Sequence, residues 1–259
     1  MQRTFIVSEL SRNKLLESLA RAVRSILHRS PWFPRFPSRG SDVVEDVLHS
    51  LGVESYHILA HDIGDTVAQE LLARHCRDSL EADGTIVRAP HCPIRSAVLL
   101  NGGVLQGAYR PKLIQQLLAQ PWIGWLSRPF LTRRIFHHSL ASVFGLQTQP
   151  TTEELDQLWA LTRYQDGERV IPLHLVYLRD REDSSQRWTE ALTHSSTVDI
   201  LFLNGPADPI SGRHMAEAVA RQVPGVDVTV LPDHVGHYPA WEAPEMVSRA
   251  LAKFYRSRK

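Results

Sequence analysis

Cysteine is almost missing from this chain: Cys76 and Cys92 are the only two in 259 residues. A disulfide-stapled secreted scaffold is thereby excluded, and two thiols in a reducing compartment are expected rather than one bridge. Long apolar runs are missing as well. Nothing in the sequence approaches the roughly 20 consecutive apolar residues of a membrane-spanning helix. The opening residues lack the apolar stretch of a secretory signal, so an intracellular location is expected. Excess charge of one sign is also lacking, because the formal net charge is +1. That argues against a nucleic-acid binder held by phosphate contacts. There is no internal repeat to suggest a solenoid.

What is present suits one globular domain with a substantial core. Hydrophobic residues make up 43% of the chain and charged residues 22%. The charge is unevenly spread, since residues 1–40 carry eight Lys or Arg against two Asp or Glu. Within them, 12–29 reads as an amphipathic helix with Leu15, Leu16, Leu19, Val23, Ile26 and Leu27 on one face. Three readings are open for it: a surface helix or extension of the domain, a helix lying on an anionic membrane, or a mitochondrial transit peptide. The proline-rich run 31–37 then breaks any helix and acts as a linker.

From Asp42 onward the pattern alternates. A short helix over 42–51, closed by Gly52, precedes a strand over 56–60, and a helix follows over 66–74. Further apolar strands are predicted over 96–100, 198–203 and 226–231. Each ends in polar or glycine-rich residues: Asn101-Gly102-Gly103, Asn204-Gly205-Pro206 and Pro232-Asp233-His234. Short buried strands alternating with helices imply a parallel sheet, with sites at the strand ends. Between 104 and 187 the strand rhythm stops. That stretch has helical runs over 112–118 and 153–161, and it contains Trp122, Trp125 and Trp159, with Trp188 just beyond. The expected organisation is α/β: a basic extension over 1–40, a core from 41–103 and 188–259, and a helical cap over 104–187.

The segment Leu59-Ala60-His61-Asp62-Ile63-Gly64-Asp65 has the strand, tight turn and helix of a nucleophile elbow, with Asp62 at its apex. Ala60 and Gly64 supply the small residues that such a turn needs, and the helix N-terminus favours developing negative charge. A competing reading makes Asp62 a simple helix cap. Two further residues weigh against it. Asp208 lies shortly after one predicted strand and His237 after the last, which gives the order nucleophile, acid, histidine. The histidines at 57, 61, 234 and 237 fit no helical metal site, and His237 is claimed by the triad, so neither metal nor cofactor is expected.

These motifs resemble the haloalkane dehalogenase and soluble epoxide hydrolase group of the α/β-hydrolases. Leu59 through Leu72, Leu100-Asn101-Gly102-Gly103, Tyr109-Arg110-Pro111 and His237-Tyr238-Pro239 are closely similar to the mesoderm-specific transcript branch of that group. The resemblance implies that Asp62 attacks carbon to form an alkyl-enzyme ester, which His237 hydrolyses through water while the N–H of Ile63 holds the oxyanion. It implies a small, apolar substrate of the epoxide, halide or ester type, and association with the endoplasmic reticulum membrane. Halide-releasing members usually carry Trp where this chain has Ile63. Epoxide opening calls for acidic donors from the cap, for which Tyr109, Tyr164 and Tyr177 are the candidates, with Trp159 a further lining residue. The resemblance begins near Ser41, and residues 1–40 match none of the strands that the family places ahead of Tyr56. The expectation is therefore a shortened core with 56–60 as a sheet edge and one mapped oxyanion donor. A catalytically impaired relative that binds a lipid or protein partner is the alternative function.

Overall fold

In the computed structural model, residues 36–78, 93–110, 132–169, 177–194 and 197–257 are described. The amphipathic segment 12–29, the run 112–118, Trp122, Trp125 and Cys92 lie outside the described residues.

Helix α1 (Phe36–Ser50) precedes strand β1 (Tyr56–His61), which turns directly into α2 (Ile63–Asp78). Strand β2 (Ile94–Leu100) is followed by a 3-10 turn at Gln106–Ala108. Helices α3 (Arg133–Ala141), α4 (Thr152–Arg163) and α5 (Tyr177–His194) come before strand β3 (Asp199–Asn204). The chain closes with α6 (Arg213–Gln222), β4 (Val226–Val230), the short α7 (Pro239–Glu242) and α8 (Pro244–Arg256). Among the described residues, no helix is long and apolar enough to cross a membrane.

The four strands form one parallel sheet in the order β1-β2-β3-β4. Their period of two divides the core. Ala97, Leu99, Ile200 and Phe202 face one layer, packing with Leu71 and Leu72 of α2, Trp188 of α5 and Met215 and Val219 of α6. Val98, Leu100, Leu201 and Leu203 face the other, against Leu231, Val235 and, on α8, Val247 and Phe254. This helix–sheet–helix sandwich leaves β2 and β3 covered on both faces, so they read as nearly unbroken apolar runs. Strand β1 is different. Among the described residues it pairs only with β2, and Leu59 is 60% exposed. Among the described residues it lies at the edge of the sheet, where 56–60 was expected.

Two elements extend beyond their predicted bounds for identifiable reasons. Helix α1 starts at Phe36 and includes Pro37, inside the run expected as a linker. Proline fits a first helical turn, where its missing N–H would have no partner in any case. The helix ends at Ser50, and Gly52 closes it as expected, its φ of +64° suiting a glycine. Helix α5 runs unbroken through the 187/188 boundary between the expected cap and core. Its Trp188 is 2% exposed and donates Nε1–H to Glu70 of α2 at 2.9 Å. Glu70 also accepts from Arg74 at 3.0 Å and from Arg187. A buried carboxylate with three donors fastens α5 to the core layer.

Candidate active site

Because the strands are parallel and nearly in register, their C-terminal ends converge. His61 pairs with Leu100, Leu100 with Leu203 and Asn204 with Val230, so Asp62, Asn101 and Gly205 emerge side by side. Asp62 has φ +51°, a left-handed conformation that costs a side-chain-bearing residue of order 1 kcal/mol. Its N–H still donates to Leu100 O at 3.1 Å, and its carbonyl accepts from Asp65 N at 3.1 Å. The sheet ladder and the first turn of α2 thus hold the residue from both sides. A Cβ at Gly64 would lie 3.7 Å from Ala60 Cβ, so the pair must be small together rather than glycine being required alone.

Asp208 and His237 sit opposite this turn. His237 Nδ1 donates to Asp208 Oδ2 at 2.7 Å, and His237 Nε2 lies 3.7 Å from Asp62 Oδ2. The second separation is that of an ion pair rather than a hydrogen bond. His237 is buried, and burial alone would lower its pKa, but the two flanking carboxylates outweigh it and push the imidazole up to about 10. Burial likewise pushes the carboxyls up. The His237 charge overcomes it at both Asp62 and Asp208, which are held below the usual carboxylate range. The resting site therefore holds an imidazolium between two carboxylates.

The support around the three residues was not visible in the sequence. Asp208 has a fully buried side chain, and Oδ2 also accepts from Ser211 Oγ at 2.8 Å and Asn101 Nδ2 at 3.1 Å, while Oδ1 accepts from Ile210 N at 2.8 Å. Asn101, with φ +46° and no exposure, also donates to Gly205 O at 3.0 Å and accepts from Gly205 N at 2.7 Å. The single Ser211 hydroxyl proton is shared between the Asp208 carboxylate and the backbone carbonyl of Asn101. The β2 and β3 loops are thereby bonded to each other through one side chain. The His237 loop has its own anchor, Glu242, which accepts from Gly145 N at 2.8 Å, Gly236 N at 2.7 Å and Tyr238 N at 2.8 Å. His237 N donates to Val143 O at 2.9 Å, and His61 Nε2 bonds to His237 O at 2.7 Å. A carbonyl only accepts, so His61 Nε2 carries the proton. Burial lowers the His61 pKa, as does the charge of His237, which keeps it neutral near pH 7.

The tyrosines divide. Tyr109, after the 3-10 turn, and Tyr177, which opens α5, bring their hydroxyls to 3.3 Å. Burial raises both phenol pKa values, and the Asp62 charge adds to it, so both hydroxyls stay protonated. Tyr164 does not join them: it is 70% exposed, and its hydroxyl is 3.5 Å from Gln165 of the same turn. Trp159 lies on α4 against Phe136, centroids 5.3 Å apart, with Arg163 stacked 5.4 Å above. Its neighbours are the residues joining α3 to α4. Beside Tyr109 and Tyr177 stands a residue that no sequence motif singles out, Arg181. Its guanidinium lies 4.6 Å and 4.9 Å from the two ring centroids. The N–H of Ile63, first residue of α2, sits at the helix N-terminus next to Asp62.

Comparison with known proteins adds a lineage to this geometry. The model of the alpha/beta hydrolase family matches residues 7–250, including much of the stretch ahead of Ser41. The mesoderm-specific transcript protein of Mus musculus is 37% identical over 224 residues, covering 84% of this chain. The chain spans 63% of that relative's length. Among solved structures, the 2-hydroxy-6-oxo-6-phenylhexa-2,4-dienoate hydrolase of a Rhodococcus species superposes with a TM-score of 0.63 at 14% identity, covering 88% of this chain and 74% of that one. The haloalkane dehalogenase DbeA of Bradyrhizobium elkani gives 0.61 at 18% identity, covering 88% and 76%. At such identities these two likenesses speak for the fold alone.

Proposed function

The chain belongs to the alpha/beta hydrolase family, and on that premise we propose that it hydrolyses a small epoxide-type substrate through a covalent ester on Asp62. The observation that carries this reading is a carboxylate, not a hydroxyl, at the apex of the elbow, 3.7 Å from a histidine that is itself hydrogen-bonded to Asp208.

A carboxylate is a ready nucleophile at neutral pH and needs no base for its first attack. An Asp62 oxygen attacks the epoxide carbon, the ring C–O bond breaks, and the leaving oxygen takes a proton from Tyr109 or Tyr177. The resting imidazolium cannot accept a proton, so His237 must change state before the second step. Esterification does this: it removes the Asp62 charge, one of the two that raise the His237 pKa, so His237 can release its proton to the tyrosine through solvent. Neutral His237 then takes a proton from water, and the hydroxide attacks the ester carbonyl carbon. The Ile63 N–H at the head of α2 stabilises the oxyanion. Collapse releases the diol and restores the Asp62 carboxylate. Asp208 fixes the imidazole orientation and its Nδ1–H tautomer throughout.

The two paired phenols favour an epoxide over a halide, because a ring oxygen needs a proton donor and a departing halide does not. The helices between Arg133 and Arg163 are the cap side of the site in this reading. The test is to expose His237→Ala protein to small epoxides and haloalkanes and to map adducts by peptide mass spectrometry. Attack without hydrolysis should leave an alkyl ester on the peptide containing Asp62. An adduct on a different residue would sink the assignment, and hydrolysis unchanged by His237→Ala would do so equally.

A further inference from the structure

Arg181 is the least expected residue near the site. It is 2% exposed, it lies in the first turns of α5, and no carboxylate lies within ion-pair distance of it among the described residues. Its Nη2 donates to Thr66 Oγ1 at 2.6 Å, while Nε and Nη1 have no hydrogen-bond partner among the described residues. A Cβ at Gly103 would lie 2.0 Å from Nη1, so glycine at that position is what lets the guanidinium pass. A buried cation with two unsatisfied nitrogens is expensive, and a positive charge near a helix N-terminus adds to the cost. Groups that oppose folding in this way are characteristic of functional sites.

Its surroundings narrow the purpose. The guanidinium carbon lies over both the Tyr109 and Tyr177 rings, whose hydroxyls meet at 3.3 Å. Thr66 stands one helical turn after Asp62, and the Arg181 charge acts directly on the Asp62 carboxylate. The charged groups facing this corner are Asp62, Asp208, His237 and Arg181, while the Asp65 carboxyl, fully buried, has its pKa pushed up by burial and by the Asp62 charge, against the pull of Arg181. The imidazolium is taken up by its two carboxylates, which leaves Arg181 as the cation with bonding capacity for something else. Guanidinium N–H groups beside phenol donors match an anionic oxygen. An anionic substrate would otherwise be repelled by Asp62.

From this arrangement we infer that the substrate is not wholly apolar but bears a carboxylate next to its electrophilic carbon, and that Arg181, with the one of Tyr109 and Tyr177 that does not protonate the ring oxygen, forms the subsite for it. The inference rests on the proposed epoxide chemistry only for the identity of the reacting group. The carboxylate subsite can be tested with or without turnover.

Two probes of nearly equal size separate the contributions, oxirane-2-carboxylate and oxirane-2-carboxamide. Wild type should prefer the carboxylate through KM. In Arg181→Met the carboxylate should lose about ten- to a hundredfold more in kcat/KM than the amide does, the range expected for hydrogen bonds to a charged group. Arg181→Lys keeps the charge and should recover part of that difference. Glyceric acid, the diol product of the carboxylate probe, should raise the thermal midpoint of wild type and of Asp62→Asn but not of Arg181→Met. Arg181→Met should unfold at no lower denaturant than wild type, since it removes an unpaired buried charge. Equal losses on both probes, confined to kcat, would overturn the subsite and make Arg181 an electrostatic aid to the reaction. Failure of glycerate to stabilise wild type would overturn it as well. Glycerate binding that depends on Arg181, without turnover of either epoxide, would uphold the subsite and defeat the proposed reaction.

Discussion

Replacing Asn101 by alanine should be among the most damaging single changes outside Asp62, Asp208 and His237, although this residue takes no step in the proposed reaction. Its side chain makes three hydrogen bonds, two to the backbone of Gly205 and one to the Asp208 carboxylate. The two neutral bonds contribute about 1 kcal/mol each, and the one to the charged acid about 1.5–3 kcal/mol. Alanine at φ +46° also lacks the local bonding that lets asparagine tolerate the left-handed region, which adds about 1 kcal/mol. Straight addition gives about 4.5–6 kcal/mol. Partial relaxation and water entry should reduce this to about 3–4 kcal/mol, a large share of the roughly 5–15 kcal/mol that holds a typical domain together. Urea unfolding followed by tryptophan fluorescence measures it directly. Asn101→Gly separates the parts, because it loses the same bonds without the steric strain and should be about 1 kcal/mol less destabilised than Asn101→Ala. A loss below about 1 kcal/mol for Asn101→Ala would refute the idea that this side chain joins the β2 and β3 loops.

Two further outcomes follow from the same geometry. His237 has its folded pKa raised to about 10 from 6.5, so its stabilising contribution is full below pH 6.5 and is lost as pH rises through about 10. Wild type should therefore lose stability between pH 7 and pH 10 in a way that His237→Gln does not, and an imidazole NMR signal titrating below pH 7 would contradict this. Gly205→Ala would place a Cβ 2.0 Å from the carbonyl oxygen of Gly236, pushing apart the loops that carry Asp208 and His237. It should cost about 1–3 kcal/mol and reduce kcat far more than KM, and unchanged kcat would count against the loop contact.

The parts of the molecule readable from its sequence are those where one residue type suffices. Strands β2 and β3 announced themselves because burial on both faces demands unbroken apolar runs such as Ala97-Val98-Leu99-Leu100 and Ile200-Leu201-Phe202-Leu203. Asp62, Asp208 and His237 stood out by their order at strand ends, and the structure brings all three together. Their supporting residues left no such trace. Asn101 and Ser211 are turn residues by composition, and only tertiary contact makes them partners of Asp208. Glu242 lies in a surface-like Ala-Trp-Glu-Ala stretch, yet it gathers three backbone N–H groups. Arg181 is hidden by its neighbourhood, since Arg-Asp-Arg-Glu-Asp reads as a solvated helix face. The same polar run obscured the continuity of α5, whose buried residues Tyr177, Asp180, Arg181, Trp188, Ala191 and Leu192 include too few apolar ones to show a helical period before Trp188. Among the phenols, spacing could not separate Tyr109 and Tyr177 from Tyr164, because their meeting depends on how α5 docks against the core.

The central claim is that the hydroxyl oxygen added to the substrate comes first from Asp62 and only then from water. A single turnover of an epoxide in ¹⁸O-labelled water, with enzyme in excess, tests it most directly. The account predicts an unlabelled diol and one heavy oxygen in the peptide containing Asp62, because water attacks the ester carbonyl and the original carboxylate oxygen leaves with the product. A labelled diol with an unlabelled Asp62 would mean that water attacks the substrate carbon itself, and would contradict the account.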